Sequence, residues 1–517
     1  MAPSSFVSIS ILVVALVLCI FMHATTMVNA AVSMAASKSP ALELEAKALM
    51  ETRWWIFPSN GKYLSHCQWY GITCNDGSVT EIDMARFYLG YEISKLNFSC
   101  FPNLVRLSLS LTGLQGSIPH EIGTLSKLTY LDLSNNVLEG ELPISLANLT
   151  QLVTFNISYN SISGSIPKVV GNLKNLLKLD LGSNYFIGPI PTEIYLLTNL
   201  TYLSAQGNQL TGELPLSIAN LTQLVTLDLS YNLIKGSIPK ELGNLKNLQE
   251  LSLNNNKFTG PILSALAFLT NLSNLDLSFN EINGPIPLEL GNNKNLSSLN
   301  LTNNRLTGFI PPSLGKLTNL VTLSLHSNQI NGSIPSSLGN LTNLVTLSLH
   351  SNQISASIPS SLGKLTNLVT LSLHSNQITG SIPSSLGEST NLVTLSLHSN
   401  QITSSIPSSL GESTNLVTLS LHSNQITGSI PSSLGESTNL VTLSLQSNQI
   451  SGSIPSSLSK LTNLVTLSLQ SNQISGSIPS SLGKLTNLVT LSLQSNQISG
   501  SIPSSLGKLT NLVTLSL

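Results

Sequence analysis

Residues 368–391 read LVTLSLHSNQITGSIPSSLGESTN, and at Leu392 almost the same text begins again. An asparagine recurs in one register every 24 residues, sixteen times from Asn136 to Asn496, with Thr112 in the slot one period earlier. Within the period the apolar positions are Leu368, Leu371, Leu373, Ile378, Ile382 and Leu386. The L-x-L segment has the alternation of a half-buried strand. One such winding cannot enclose its own leucines, so each must stack on its neighbours, and the strands then line up as one parallel sheet. Burial contributes about 1.5 to 3 kcal/mol per large aliphatic side chain, enough for several per winding to oppose the entropy of ordering it. The recurring asparagine turns the chain out of the strand, and its amide must find backbone partners in that turn and in the adjoining winding.

The spacing L-x-x-L-x-L-x-x-N-x-L is that of a leucine-rich repeat. The remainder, GxIPxxLGxLxx, resembles the plant-specific subclass of these repeats. That resemblance implies a leucine-rich-repeat solenoid of the α/β horseshoe class, wound as a right-handed superhelix with one strand column on its inner face. It also implies a second short strand at the IP segment and a loose helical turn at the LG segment. Starting leucines run from Leu104 to Leu512 in steps of 24, so the array occupies 104–517 as 17 full coils and one partial coil.

A net charge of −1 with only 9% charged residues gives no electrostatic footprint for nucleic acid or an anionic membrane. Residues 1–30 read as a signal peptide: an apolar run from Ile9 to Met22 is followed by compact residues before Ala31. The run is shorter than the roughly 20 residues that span a bilayer. Residues 31–103 are expected to form an N-terminal cap with a degenerate first coil. Within it, ALELEAKALMETRWW (41–55) has a helical pattern and CQWYGITC (67–74) follows. Cys67, Trp69, Gly71 and Cys74 resemble the C-x-W-x-G-x-x-C motif of the cap on plant leucine-rich-repeat ectodomains, which implies that Cys67 and Cys74 pair. A metal site there would need a second ligand pair. Cys100 is left as an odd, partly buried thiol.

The array has two halves of different character. Up to about residue 310 the outward positions vary; beyond Leu320 they are almost uniformly VT, S and HS or QS. Discrimination between ligands needs differing contacts, so the varied half is the expected recognition surface. There Asp132, Asp180, Asp228 and Asp276 occupy one strand position, Tyr130 and Tyr202 stand two residues before that slot, and Tyr159, Tyr231 and Phe279 three after it. Rings and carboxylates along an open groove suit a peptide laid across the strands. The competing reading is that LDLSxN is the common filling of this repeat, with aspartate a solvated neighbour of the turn. Ten N-x-S/T sequons, Asn97, Asn148, Asn156, Asn199, Asn220, Asn271, Asn295, Asn300, Asn331 and Asn340, are acceptors if the chain is secreted. Asn156 and Asn300 fall in outward strand slots, where glycans would occlude the face. His326, His350, His374, His398 and His422 form a column continued by Gln446, Gln470 and Gln494. Protonation would set like charges side by side, whereas a metal site is discounted because the slot lacks carboxylates and thiolates.

No nucleophile and base pair, phosphate loop or metalloprotease motif emerges, and the S-x-x-K strings are by-products of PSSLGK, so neither enzyme activity nor a cofactor is expected. Cap, repeat type and leader together resemble the extracellular part of plant leucine-rich-repeat receptor-like kinases. That family implies a cell-surface ectodomain that takes a peptide or protein ligand on its inner face and recruits a co-receptor kinase. The C-terminal cap, apolar span and kinase domain of that family lie nowhere in these residues, so the chain reads as a truncated receptor; after signal cleavage it would make no direct membrane contact. A secreted inhibitor similar to polygalacturonase-inhibiting proteins is the alternative, and an ice-binding protein a remote one.

Overall fold

The computed structural model describes residues 40–55 and 65–517. The signal peptide expected at 1–30 lies outside them. Two compact units emerge: one runs through Glu139 and includes 143–152, the other comprises 140–142 and 153–517.

In the first unit a helix, α1, spans Pro40–Thr52 and buries Ala48 and Leu49. The helix thus ends three residues short of Trp55, the last residue of the expected stretch. Strands β1 (Ile72–Asn75) and β2 (Ser78–Asp83) form an antiparallel hairpin, closed by Asp76 and Gly77 with φ of 50° and 82°. Two left-handed residues in a two-residue loop make the turn whose twist matches that of the strands, and Asp-Gly is a preferred pair for it. Strand β2 then pairs in parallel with Arg106–Ser108, which pairs with Tyr130–Asp132, so the hairpin supplies the edge on which the first coil builds. Cys67 and Cys74 are joined by a disulfide with a Cα–Cα distance of 5.5 Å. Gly71, between them, has φ +76°, and a Cβ there would meet the Asp83 carbonyl oxygen at 2.2 Å, so the motif's glycine has no substitute. Glu45 of α1, 2% exposed, accepts from the Ser78 hydroxyl at 2.6 Å and the Val79 N–H at 2.9 Å, tying helix to hairpin.

The second unit stacks sixteen three-residue strands among the described residues, from Thr154–Asn156 to Thr514–Ser516, each parallel to the next with an apolar residue opposite an apolar residue, as in Phe155↔Leu179 and Leu179↔Leu203. The central residue of almost every strand is fully buried. After the strand each coil passes through a residue at positive φ, reaches the ladder asparagine, and returns through a five-residue 3-10 helix such as Ser384–Glu388. The ladder is a chain of amide bridges. Asn232 Nδ2 donates to Ala205 O of the preceding coil (2.9 Å) and to Leu229 O and Ser230 O of its own, while Oδ1 accepts from Leu210 N–H at 2.9 Å. Asn184, Asn208, Asn256 and the later members repeat this pattern. A second ladder, not foreseen from the sequence, runs through exposed asparagines: Asn271 donates to Lys246 O and Asn343 to Thr318 O, each 25 residues back.

The second strand is displaced from its expected place. It covers residues such as Tyr185–Pro189 and Arg305–Thr307, ahead of the IP dipeptide, and proline instead stands as the N-cap of the 3-10 helix, as Pro191 does for Thr192–Leu196. Proline has no N–H to give a strand ladder, and its fixed φ suits a helix entrance. The loose helical turn at LG is the 3-10 helix itself.

Candidate binding face

The varied strands of the second unit carry Lys178, Tyr202 and Glu250 in one outward column and Asp180, Ser204, Asp228 and Asp276 in the next. Lys178 Nζ lies 4.7 Å from the centroid of the Tyr202 ring on the adjacent strand, a cation–π pair. The Tyr202 hydroxyl is pushed up to about 12, chiefly by burial and then by the carboxylates of Asp180, Asp228 and Glu250, so it stays a neutral hydrogen-bond donor. The aspartates are half-buried and engaged locally: Asp228 Oδ1 accepts from Ser230 N–H at 3.0 Å and from its hydroxyl at 2.7 Å, and Asp276 does the same for Ser278 while its Oδ2 accepts from Asn300 Nδ2 at 3.1 Å. The turn-neighbour role is therefore real, and it fixes the remaining carboxylate edge in place. Asp180 and Asp228 stand two strands apart, about 10 Å.

Tyr159, Tyr231 and Phe279 are placed differently from the simple alternation. They sit in the turn that leaves the strand, at φ 56°, 53° and 53°, and are 56%, 58% and 48% exposed. A bulky side chain in left-handed backbone costs on the order of 1 kcal/mol or more, and a half-exposed ring recovers only part of that through packing. Other coils put asparagine, serine or glycine in this slot, at Asn255, Ser183 and Gly207.

In the first unit, Tyr130 and Asp132 form their own cluster. The Arg106 guanidinium lies 3.7 Å over the Tyr130 ring and 3.6 Å from Asp83, and the Tyr130 hydroxyl donates to Asp132 at 3.3 Å. Burial, then Asp132, raises the Tyr130 hydroxyl above its usual range. The cations Arg106 and Lys178 were missed as site members because the repeat pattern treats their slot as filler; their spacing of exactly three coils from each other was the available signal. Also unforeseen is an open trough along the uniform coils, lined by Asn319, Val321, Asn343 and Val345 and their successors.

Among the sequons, Asn148, Asn220 and Asn340 end exposed 3-10 helices, and Asn97 and Asn331 are exposed as well. Asn199, Asn271 and Asn295 belong to the second ladder and donate through the nitrogen a glycan would need. Asn300 Nδ2 donates to Asp276 at 3.1 Å and to Ser278 at 3.3 Å. Glycopeptide mapping of secreted protein is expected to find Asn148, Asn220 and Asn340 occupied well above Asn156 and Asn300; equal occupancy would show that the strand face is open to the transferase. His66, Cys67 and Cys74 cluster, but the disulfide consumes both thiols and leaves no metal set there. Cys100 is a free, half-buried thiol whose pKa burial raises, with Glu51 and Glu45 adding to the shift.

Amide-laddered coils on an unbroken run of leucines define a leucine-rich-repeat protein. Family models described as leucine-rich repeat region match 181–285, as leucine rich repeat 294–354, as leucine rich repeats in two copies 342–387, 390–435 and 438–484, and as the single repeat 127–149, 151–173 and 487–509. A solved plant peptide hormone receptor, RGFR1 in complex with RGF2, superposes with a TM-score of 0.84 at 39% identity, over 87% of this chain and 72% of that one. The Arabidopsis receptor kinase HAESA, in complex with the peptide hormone IDA and the co-receptor SERK1, does so with a TM-score of 0.75 at 31% identity, over 93% and 90%. The chain belongs to the family of plant leucine-rich-repeat receptors and has the fold of their ectodomains. Among curated proteins, the Arabidopsis thaliana leucine-rich repeat receptor-like serine/threonine-protein kinase RGI4 is 42% identical over 81 residues, 16% of this chain and 7% of that protein. The chain thus matches only a small part of such full-length relatives. Among the described residues no helix is long and apolar enough to cross a membrane.

Proposed function

We propose that this chain is an extracellular ligand-binding region of a plant receptor, and that it takes a peptide or protein segment across the varied strands of the second unit. The observation that carries this reading is the set of exposed rings held in unfavourable left-handed turns, Tyr159, Tyr231 and Phe279, beside the Lys178–Tyr202 pair and the aspartate column. Structure alone gives no reason to keep aromatics there, whereas rigid rings on an open face are strong anchors for a partner. With Asp180, Asp228, Asp276 and Glu250 against Lys178, the face favours a segment carrying positive charge. The solved neighbours carry peptide ligands, and one of them a co-receptor, which supports the same mode of use here. Tyr130 and Asp132 would add a contact of the first unit's own, and 31–103 serves as the cap that shields the first coil.

The test is selection of secreted plant peptides, displayed as a library, on the secreted glycosylated chain, followed by titration of the enriched peptides. A double substitution of Tyr231 and Phe279 to alanine is expected to weaken binding by about 30-fold or more, the loss typical of an anchoring residue. Its thermal stability should change little, because alanine keeps the Cβ that makes the left-handed backbone costly and removes only half-exposed ring surface. Failure to enrich any peptide, or affinity indifferent to both the ring pair and Asp228→Ala, would overturn the reading.

A further inference from the structure

The five histidines of the uniform coils form a continuous stack. Ring centroids of His326, His350, His374, His398 and His422 follow one another at 4.1 to 4.2 Å with interplanar angles of 10° to 16°. Each ring is turned the same way by the same contact: Nδ1 lies 3.1 to 3.2 Å from the hydroxyl of the next residue, Ser327, Ser351, Ser375, Ser399 or Ser423. When Nδ1–H donates to that hydroxyl oxygen, the lone pair is left on Nε2, and the five Nε2 atoms form a row along the half-exposed edge of the column.

We propose that this row binds borderline divalent transition-metal ions, each held between the imidazoles of two adjacent coils, with room for two ions per chain. Imidazole alone is a sufficient donor for copper, nickel or zinc, so the missing carboxylates that counted against a metal in the sequence are not required. Metal–nitrogen bonds of about 2.0 to 2.1 Å need two nitrogens roughly 3 Å apart, about 1 Å closer than the stacked rings. The last torsion of histidine is soft, so opposite rotations of neighbouring rings close that gap without moving the strands. A hydrogen-bond acceptor on the other ring nitrogen, here the serine hydroxyl, fixes the tautomer that leaves the metal-facing nitrogen unprotonated.

The strands around the column carry no formal charge. Between 320 and 448 the charged residues are Lys364, Glu388, Glu412 and Glu436, all at the ends of 3-10 helices rather than on the strands. Burial, then the neighbouring histidines, lowers these imidazoles, His350 and His398 to about 4, so the protonation that would set like charges side by side is moved to lower pH.

Glutamine fills this slot natively at Gln446, Gln470 and Gln494, so histidine-to-glutamine variants are expected to fold. The experiment titrates the secreted chain, carrying Cys100→Ser to remove the free thiol, with Cu²⁺ at pH 7 and reads both stoichiometry and the nitrogen superhyperfine pattern by electron paramagnetic resonance. Expected are two ions per chain, each showing two equatorial imidazole nitrogens. His350→Gln with His398→Gln leaves no two adjacent histidines and should weaken uptake at least about tenfold and abolish the two-nitrogen signal. His326→Gln with His422→Gln leaves three adjacent rings and should retain one ion. Absence of copper uptake by the unsubstituted column, or equal uptake by both double variants, would overturn the proposal.

Discussion

Asn232→Ala is expected to lower the stability of its stretch of the array by about 2 to 3 kcal/mol. The side chain is 6% exposed, and its amide makes four backbone contacts, two of them to the preceding coil. Alanine strands the buried Leu210 N–H and removes one of the two amide donors on the Ala205 carbonyl, which keeps only Asn208 Nδ2 at 3.1 Å. Asn232→Asp should cost at least as much: it keeps the acceptor for Leu210 but sets a carboxylate against three carbonyl oxygens. Because a solenoid's stability is a sum of neighbour terms, the readout is amide hydrogen exchange at Leu210 and Leu233 alongside the urea midpoint. A loss below about 0.5 kcal/mol would mean that the carbonyls and N–H find other partners and that the ladder is not what couples one coil to the next.

The triple substitution of Ser389, Ser413 and Ser437 to leucine is expected to raise stability, by about 2 kcal/mol per site. These serines are 0% exposed, and the equivalent residues of flanking coils, Leu341, Leu365, Leu461 and Leu485, are equally buried. The backbone is the same in both: φ and ψ are −77° and 74° at Ser389 and −80° and 71° at Leu365. Ser389 Oγ has no hydrogen-bond partner, and Ser413 reaches Gly387 O only at 3.4 Å. Three consecutive coils thus lack the apolar volume that their neighbours share, and a hydroxyl is buried in its place. Ser413 lies in the coil between the other two, so the three gains are expected to couple rather than simply add. A fall in the urea midpoint would show that the coils have closed onto the serines and that leucine overpacks them.

The sequence made the stacking legible because one side-chain type recurs at one spacing, and physics allows few ways to bury Leu371, Leu373 and Ile378 in every winding. The ladder asparagine was legible for the same reason. What the text concealed depends on backbone geometry that several residue types can satisfy. Tyr159, Tyr231 and Phe279 count as strand neighbours by position, but the chain has already turned into left-handed conformation where they stand. Ser389 looks like a surface serine in GESTN until its slot is aligned with Leu365. The histidine column was read at the ordinary strand spacing with carboxylate ligands missing; the stacked rings and the aligning serine hydroxyls are properties of the coil, not of the letters. Arg106 and Lys178 were passed over because the aromatic ring each covers lies 24 residues away.

Every amide bridge joins a winding only to the one before it, and beyond Leu320 the windings carry nearly the same text. Excising or adding one whole period there would therefore re-form each bond between equivalent partners and leave no seam. Copy-number drift through unequal recombination becomes structurally harmless in steps of 24 residues, so this segment can act as an adjustable spacer whose length evolves independently of the chemistry displayed upstream.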